Sequence, residues 1–354
     1  MALSGIVGQQ RAVSFLKRIL KKEAVPHAFL FSGMTGSGKL AAAVEFARAL
    51  NCQSPQDHDS CGVCGSCRKL DEGLHPDIVH VRSDGAFIKL EQIRELVKRF
   101  RFRPFEGKFR VVIIHDAQRM MELAANALLK ILEEPPEANL FILLAVESQM
   151  LLPTIVSRCC QVRFQPLEDR IVAERLVREE GLSPDSAAGI ARLAEGSIEK
   201  ARWFSRQDQA EGWKRVIERL ESLAEISILD FFPMVSDWAK GRETMERDLE
   251  FIKLWVRDLI LFRVAGARNP GQDAAGSGAA LTFELNARTE QAARSVPVEH
   301  LFILYQRVEL AMQGLRVNAN LQMTLEGVCL AIKDFLYGKG NWNSFSKRGQ
   351  ALSF

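Results

Sequence analysis

No stretch of the 354 residues approaches the ~20 consecutive apolar residues of a membrane-spanning helix. The first residues, Met1-Ala2-Leu3-Ser4-Gly5, lack the basic and then apolar stretches of a secretory leader. Both absences lead us to expect a cytoplasmic chain with no membrane partner. Charge of one sign is scarce as well. Lys and Arg number 47 against 44 Asp and Glu, and a net charge of +3 does not mark a dedicated nucleic-acid binder. Nor is the chain poor in core-forming residues: 47% are hydrophobic and 26% charged, which excludes disorder as the default. At roughly 150 residues per domain the length suggests two or three domains.

The most telling absence is one hydroxyl. Gly33-Met34-Thr35-Gly36-Ser37-Gly38-Lys39 has the form of a phosphate-binding loop, in which glycines let backbone N–H groups close around phosphate oxygens and the Lys meets the β- and γ-phosphates. A Ser or Thr should follow to hold Mg²⁺, and Leu40 stands there instead. The order of elements supports a genuine loop. His27 to Ser32 reads as a short buried strand before it, and Ala41 to Leu50 as a helix after it. Gly33, Gly36, Gly38 and Lys39 are therefore candidate phosphate ligands, with nucleotide occupancy left open and Mg²⁺ not expected.

Among seven cysteines, Cys52, Cys61, Cys64 and Cys67 lie close together, the last three in a C-x-x-C-x-x-C run with Gly62 and Gly65 between. Cysteines so spaced can turn several thiolates to one centre, and four thiolates complete tetrahedral Zn²⁺ with no open position. The reading is a structural zinc site. An iron–sulfur cluster, disulfides or free thiols are the alternatives at this stage. Cys159, Cys160 and Cys329 read as packing residues.

Phe109 to Ile114 is an apolar strand that ends in His115-Asp116. Phosphate-loop hydrolases place an acidic pair there, the first member for magnesium. An imidazole suits that hard cation poorly. Asn126 to Pro136 reads as a helix stopped by two prolines, followed by the strand Leu140 to Val146. Alternation of apolar strands and helices implies an α/β fold, a parallel sheet with helices on both faces.

Taken together, Val7-Gly8-Gln9, the segment His27 to Lys39, the four-cysteine insertion, Ile113 to Met120, Asn126 to Pro136 and Ser157-Arg158-Cys159 resemble the clamp-loader branch of the AAA+ proteins. Within it the resemblance is to delta-prime-type subunits of bacterial DNA polymerase III. It covers the first half of the chain, and the LLK-LEEPP and SRC stretches are its most specific parts. The resemblance implies an AAA+ module over 1–166 with a zinc insertion at about 52–67, a helical lid over 167–206, an all-α collar for oligomerisation over 207–338 and a tail over 339–354. It also implies zinc in the insertion. As partners it implies gamma/tau motor subunits, a clamp-opening delta subunit, the sliding clamp and primer-template DNA.

Motor subunits of that family carry Thr after the loop Lys, an Asp-Glu pair after the second strand motif, a polar first sensor and a second-sensor Arg. Here stand Leu40, His115-Asp116, Val146-Glu147 and Glu199. Arg158, in the intact SRC motif, is by the resemblance an arginine finger reaching a neighbour's γ-phosphate. The expectation is a subunit that does not hydrolyse ATP itself but serves the next site. The alternatives are an ATP-hydrolysing gamma/tau-like motor and a stand-alone zinc-dependent nucleic-acid binder.

The rest of the chain reads as helices. Glu168 to Glu180 and Pro184 to Glu195 have apolar residues at helical spacing, with Gly181 and Gly196 at their ends. Further on, Trp213, Phe231, Phe232, Trp238, Phe251 and Trp255 read as core and contact residues, and Leu321 to Leu336 as a final helix. Ala265 to Ala280, rich in Gly and Ala, reads as a loop, and the polar tail from Gly338 as unstructured. Lys98, Arg99, Arg101 and Arg103 alternate with Phe100 and Phe102, a pattern that suits either DNA phosphate or a solvated face.

Overall fold

Five strands form: Ala28–Ser32 (β1), Ile78–Val81 (β2), Arg110–Ile114 (β3), Asn139–Ala145 (β4) and Cys160–Arg163 (β5). In β1, β3 and β4 every residue is buried, as a parallel sheet covered on both faces requires. Every strand pairing is parallel, in the order β2-β3-β4-β1-β5. The edge strands β2 and β5 are four residues each and partly exposed, too short to stand out in the sequence. The computed structural model describes residues 2–22, 25–99, 103–265, 285–316 and 319–338.

Side chains alternate across this sheet. Leu30, Val112, Ile114, Phe141 and Leu143 join one core, while Phe29, Phe31, Val111, Ile113, Ile142 and Leu144 join the other. The second face is covered by Gln10–Lys22 (α1) and Lys39–Asn51 (α2), through Leu16, Ile19, Phe46 and Leu50. Gly65–Asp71 (α3) belongs to the cysteine insertion. The first face is covered by Leu90–Arg99 (α4) and Glu122–Glu133 (α5), through Ile93, Leu96, Leu128 and Ile131. Helix α5 stops before Pro135 and Pro136, as expected, and a short Pro153–Val156 helix (α6) leads to Arg158 and β5.

Asp169–Glu180 (α7), Pro184–Leu193 (α8) and Ile198–Phe204 (α9) follow, packed around Leu167, Val172, Leu176, Ala187 and Ala191. Gly181 closes α7 in the left-handed conformation, φ 68°. The chain divides into two compact units that part between Trp203 and Phe204, so these three helices, up to Trp203, lie in the first.

The second unit is helical: Gln207–Ser222 (α10), Ile228–Trp238 (α11), Arg242–Ala265 (α12), Ala287–Ser295 (α13), Val298–Arg316 (α14) and Leu321–Ile332 (α15). A π-helical turn, Lys333–Tyr337, extends α15, so the final helix reaches its expected end with altered pitch. Phe231, Trp238, Phe251 and Trp255 are core residues, whereas Phe232 is exposed. Trp238 Nε1 donates to Asp248 Oδ2 at 2.8 Å, which satisfies two buried polar groups at once.

Of the expected loop Ala265–Ala280, Ala265 ends α12 and the remainder lies outside the described residues, as does the tail from 339. Among the described residues, no helix is long and apolar enough to cross a membrane.

Candidate functional site

The glycine loop joins β1 to α2 and has the backbone such a loop needs. Gly36 and Gly38 have φ of 78° and 93°, and Gly38 caps α2 in the left-handed region. Gly36 could not carry a side chain: a Cβ there would stand 2.2 Å from Ser197 Oγ. The loop is held from two sides. Gln9 donates to the carbonyls of Ser37 (3.0 Å) and Gln165 (2.6 Å), and Ile198 N donates to the carbonyl of Gly36 at 3.2 Å. Lys39, 8% exposed, does not reach outward; its Nζ donates to the carbonyl of Met34 at 3.0 Å.

Burial lowers the pKa of Lys39, opposed by the charges of Asp116 and Glu199. Two carboxylates of the protein itself thus act on the charge of the loop lysine. One of them, Glu199, begins α9 with its backbone against Gly36. A carboxylate in that place repels phosphate, where an arginine would attract it. Ser197 and Gln9, which close this arrangement, carry no signal of their own in composition; Gln9 stood out only as part of Val7-Gly8-Gln9.

At the magnesium positions the side chains are of the wrong kind. Leu40, on the first turn of α2, is 36% exposed and offers no oxygen. His115 follows β3, and its Nε2 lies 2.9 Å from His80 Nδ1 at the end of β2. Two imidazoles sharing one N–H satisfy each other and hold the two strand ends together. Asp116 takes φ 44°, a left-handed conformation that Asp tolerates better than most residues. Of Val146-Glu147, expected at the first-sensor place, Val146 is partly buried and Glu147 exposed.

The His pair gives a measurable consequence. Burial, then His80, then Arg82 push the His115 pKa down to about 4, from a usual value near 6.5. Folding therefore favours the neutral ring. Its contribution is complete above pH 6.5 and is lost as pH falls towards 4. After discounting for solvent screening it amounts to on the order of 1–2 kcal/mol. Urea unfolding at pH 7 and pH 4.5 should show His115→Gln losing less stability than the parent over that window; equal losses would refute the assignment.

The four cysteines of the insertion come together. Cys52 ends α2, Cys64 caps α3 and Cys67 lies within it. The four Sγ atoms lie within 4.8 Å of one another, with Cys52 to Cys64 at 4.0 Å and Cys52 to Cys67 at 3.8 Å. A tetrahedral Zn²⁺ with ~2.3 Å bonds separates its sulfurs by about 3.8 Å, so the residues fit that ion. These are thiols and not disulfides, whose sulfurs would be ~2.0 Å apart.

Burial opposes the Cys64 thiolate, but hydrogen bonds from Cys67 and Gln53 backbone bring its pKa down to about 6, while burial and Cys64 push Cys67 up to about 12. Four thiols so close cannot ionise together without a cation.

The insertion is pinned to the module from both ends. Asp59, 5% exposed, accepts from the backbone N of Leu3, Ser4 and Ser60, and from Ser4 Oγ. Buried Arg48 on α2 pairs with Asp71 on α3, and buried His75 meets Ser66 at 3.1 Å.

Arg158 stands apart from both clusters, between α6 and β5, with its side chain 36% exposed. Cys159 and Cys329 are buried, as packing residues should be; Cys160 is partly buried. Of the basic stretch, Lys98 is exposed on α4 and Arg103 is exposed before Pro104, while Arg101 lies outside the described residues.

Comparison with known proteins places these features. The family described as DNA polymerase III, delta subunit, matches residues 8–168. DNA polymerase III subunit delta' of Bacillus subtilis is 34% identical over 260 residues, which cover 72% of this chain and 78% of that protein. The chain belongs to the DNA polymerase III clamp-loader subunit family.

DNA polymerase III subunit tau of Escherichia coli is 30% identical over 342 residues, 91% of this chain and 52% of that protein. The chain thus spans about half the length of that tau relative. Among solved structures, a gamma-subunit-related protein of Thermotoga maritima aligns with 91% of this chain and 98% of its own, at 19% identity and a TM-score of 0.43, too low to bear on the argument. Delta-prime and tau types both occur among the relatives, so membership of the family does not by itself separate a hydrolysing from a non-hydrolysing subunit.

Proposed function

We propose that this chain is the non-hydrolysing, delta-prime-type subunit of a bacterial clamp loader. It would join gamma/tau motor subunits and a clamp-opening delta subunit in a cytoplasmic assembly that loads the sliding clamp on primer-template DNA. The observation that carries this reading is the phosphate loop: its magnesium positions hold Leu40 and the His80–His115 pair, and Lys39 is turned onto Met34 beside Glu199. A loop without a metal ligand, with the charge of Glu199 acting on its lysine, is suited to hold shape and not to turn over nucleotide.

In this role the chain contributes rigidity and one charged group. Arg158 would project into the ATP site of an adjacent motor subunit and offset the negative charge that develops on the transferring phosphoryl group. Cys52, Cys61, Cys64 and Cys67 would hold Zn²⁺, which supplies only a structural cross-link at a closed site.

Phosphate release with ATP and Mg²⁺ tests the proposal. The isolated chain is expected to be silent, and a mixture with motor and delta subunits, clamp and primed DNA to be active only when this chain is present. Turnover by the isolated chain, abolished by Lys39→Ala, would mean a gamma/tau-like motor instead.

A further inference from the structure

Arg158 is not a loose side chain. Its NH2 group lies 2.9 Å from Glu133 Oε1, and its NH1 donates to the carbonyl of Thr154 at 3.0 Å. A longer contact, 3.5 Å, runs from NH1 to Ser157 Oγ. Glu133 is the last residue of α5, where Pro135 and Pro136 stop the helix and fix the place of its end. Thr154 belongs to α6, the short helix that presents Arg158.

Two separate elements, α5 and α6, therefore hold the guanidinium. A guanidinium has five N–H donors in a rigid plane. With NH1 turned to Thr154 and Ser157 and NH2 engaged by Glu133, Nε and the second NH2 proton stay available for an anion, and the side chain remains 36% exposed. Fixing the plane before an anion arrives removes part of the entropy cost of ordering a long side chain. The negative end of the α5 dipole, where Glu133 sits, also suits a cation.

We propose that Glu133 is a positioning residue for Arg158, holding the guanidinium plane in the orientation in which it meets the phosphate of a neighbouring subunit. The proposal rests on the trans arginine reading above. Glu133 does not attract the anion; its charge works weakly against it. What it contributes is geometry, so an uncharged acceptor of the same shape should serve nearly as well.

The pair is solvent-exposed, with Glu133 52% accessible, so the effect is modest: about two- to five-fold in rate. The test uses the reconstituted loader with clamp and primed DNA, with assembly checked by size-exclusion chromatography. Glu133→Ala should lower kcat by that factor with KM for ATP unchanged. Glu133→Gln, which keeps the accepting oxygen, should restore the rate to near the parent value. In an Arg158→Ala background, Glu133→Ala should cause no further loss.

If Glu133→Ala leaves kcat unaltered while Arg158→Ala slows it, the positioning role is overturned and the trans arginine stands. If Arg158→Ala is itself neutral, the trans arginine falls and the positioning role with it. A loss from Glu133→Ala that persists undiminished in the Arg158→Ala background would also overturn it, since Glu133 would then act by another route. In the isolated chain, slow rotation of the ¹⁵N-labelled Arg158 guanidinium in the parent and in Glu133→Gln, but not in Glu133→Ala, gives an independent readout of the grip.

Discussion

Arg158→Ala is expected to slow hydrolysis at the ATP site that Arg158 is proposed to serve by on the order of 10³-fold, the low end of what a trans arginine supplies in GTPases. Isolated side-chain chemistry does not support so large a figure, because an exposed ion pair such as Arg158–Glu133 contributes little to stability. The effect arises only in the transition state, where charge builds on the phosphoryl oxygens in a site closed to water. The variant should therefore fold and assemble as the parent does, with an unchanged unfolding midpoint. Bulk turnover falls by the share of sites this subunit serves, or altogether if the sites fire in a fixed order. Single-turnover phosphate release by the assembled complex separates those cases, and an unaltered rate in both would remove the trans arginine assignment.

Cys64→Ser should cost the metal and, with it, on the order of 4 kcal/mol or more of stability, the range reached when a structural ion is lost. Cys64 stands at the N-cap of α3 without a side-chain capping bond, and Ser is itself a good N-cap, so the substitution removes a ligand and leaves the helix start intact. Damage should spread along the contacts that pin the insertion. Asp59 holds the backbone of Leu3 and Ser4, and Arg48 on α2 holds Asp71. Helix α2 begins at the phosphate loop and ends at Cys52, so a metal held there would brace the far end of the helix that carries Lys39. Elemental analysis should find one zinc per chain in the parent and less in the variant, and urea unfolding should shift to lower midpoint. Visible absorbance from iron in the purified parent would replace zinc by a cluster. Equal stability with and without metal would contradict the structural role.

Much of this was legible in the sequence because the signals are local. The glycine loop, C-x-x-C-x-x-C, the helix stop at Pro135-Pro136 and the apolar strands β1, β3 and β4 each depend on residues close in the chain. The loop and four-cysteine arrangements need backbone conformations that few residues besides glycine allow, so spacing alone announces them. The edge strands β2 and β5 were not legible, since four partly exposed residues carry no period. Nor was the π-helical turn after α15, which no residue type specifies.

The sequence by itself determined the fold class, the family and which residue types stand at each ligand position. It could do so because Leu40 lacks an oxygen and His115 is a nitrogen donor in any conformation. Only the tertiary structure decided how those residues are used. It brings His80 from β2 to His115 at the end of β3, 35 positions apart, and Ile198 at the start of α9 onto Gly36. It turns Lys39 inward to Met34 and sets Glu133 against Arg158. Contacts of this kind depend on which chain segments the sheet order makes neighbours. That order follows from burying apolar faces over the whole domain, a sum no local segment contains.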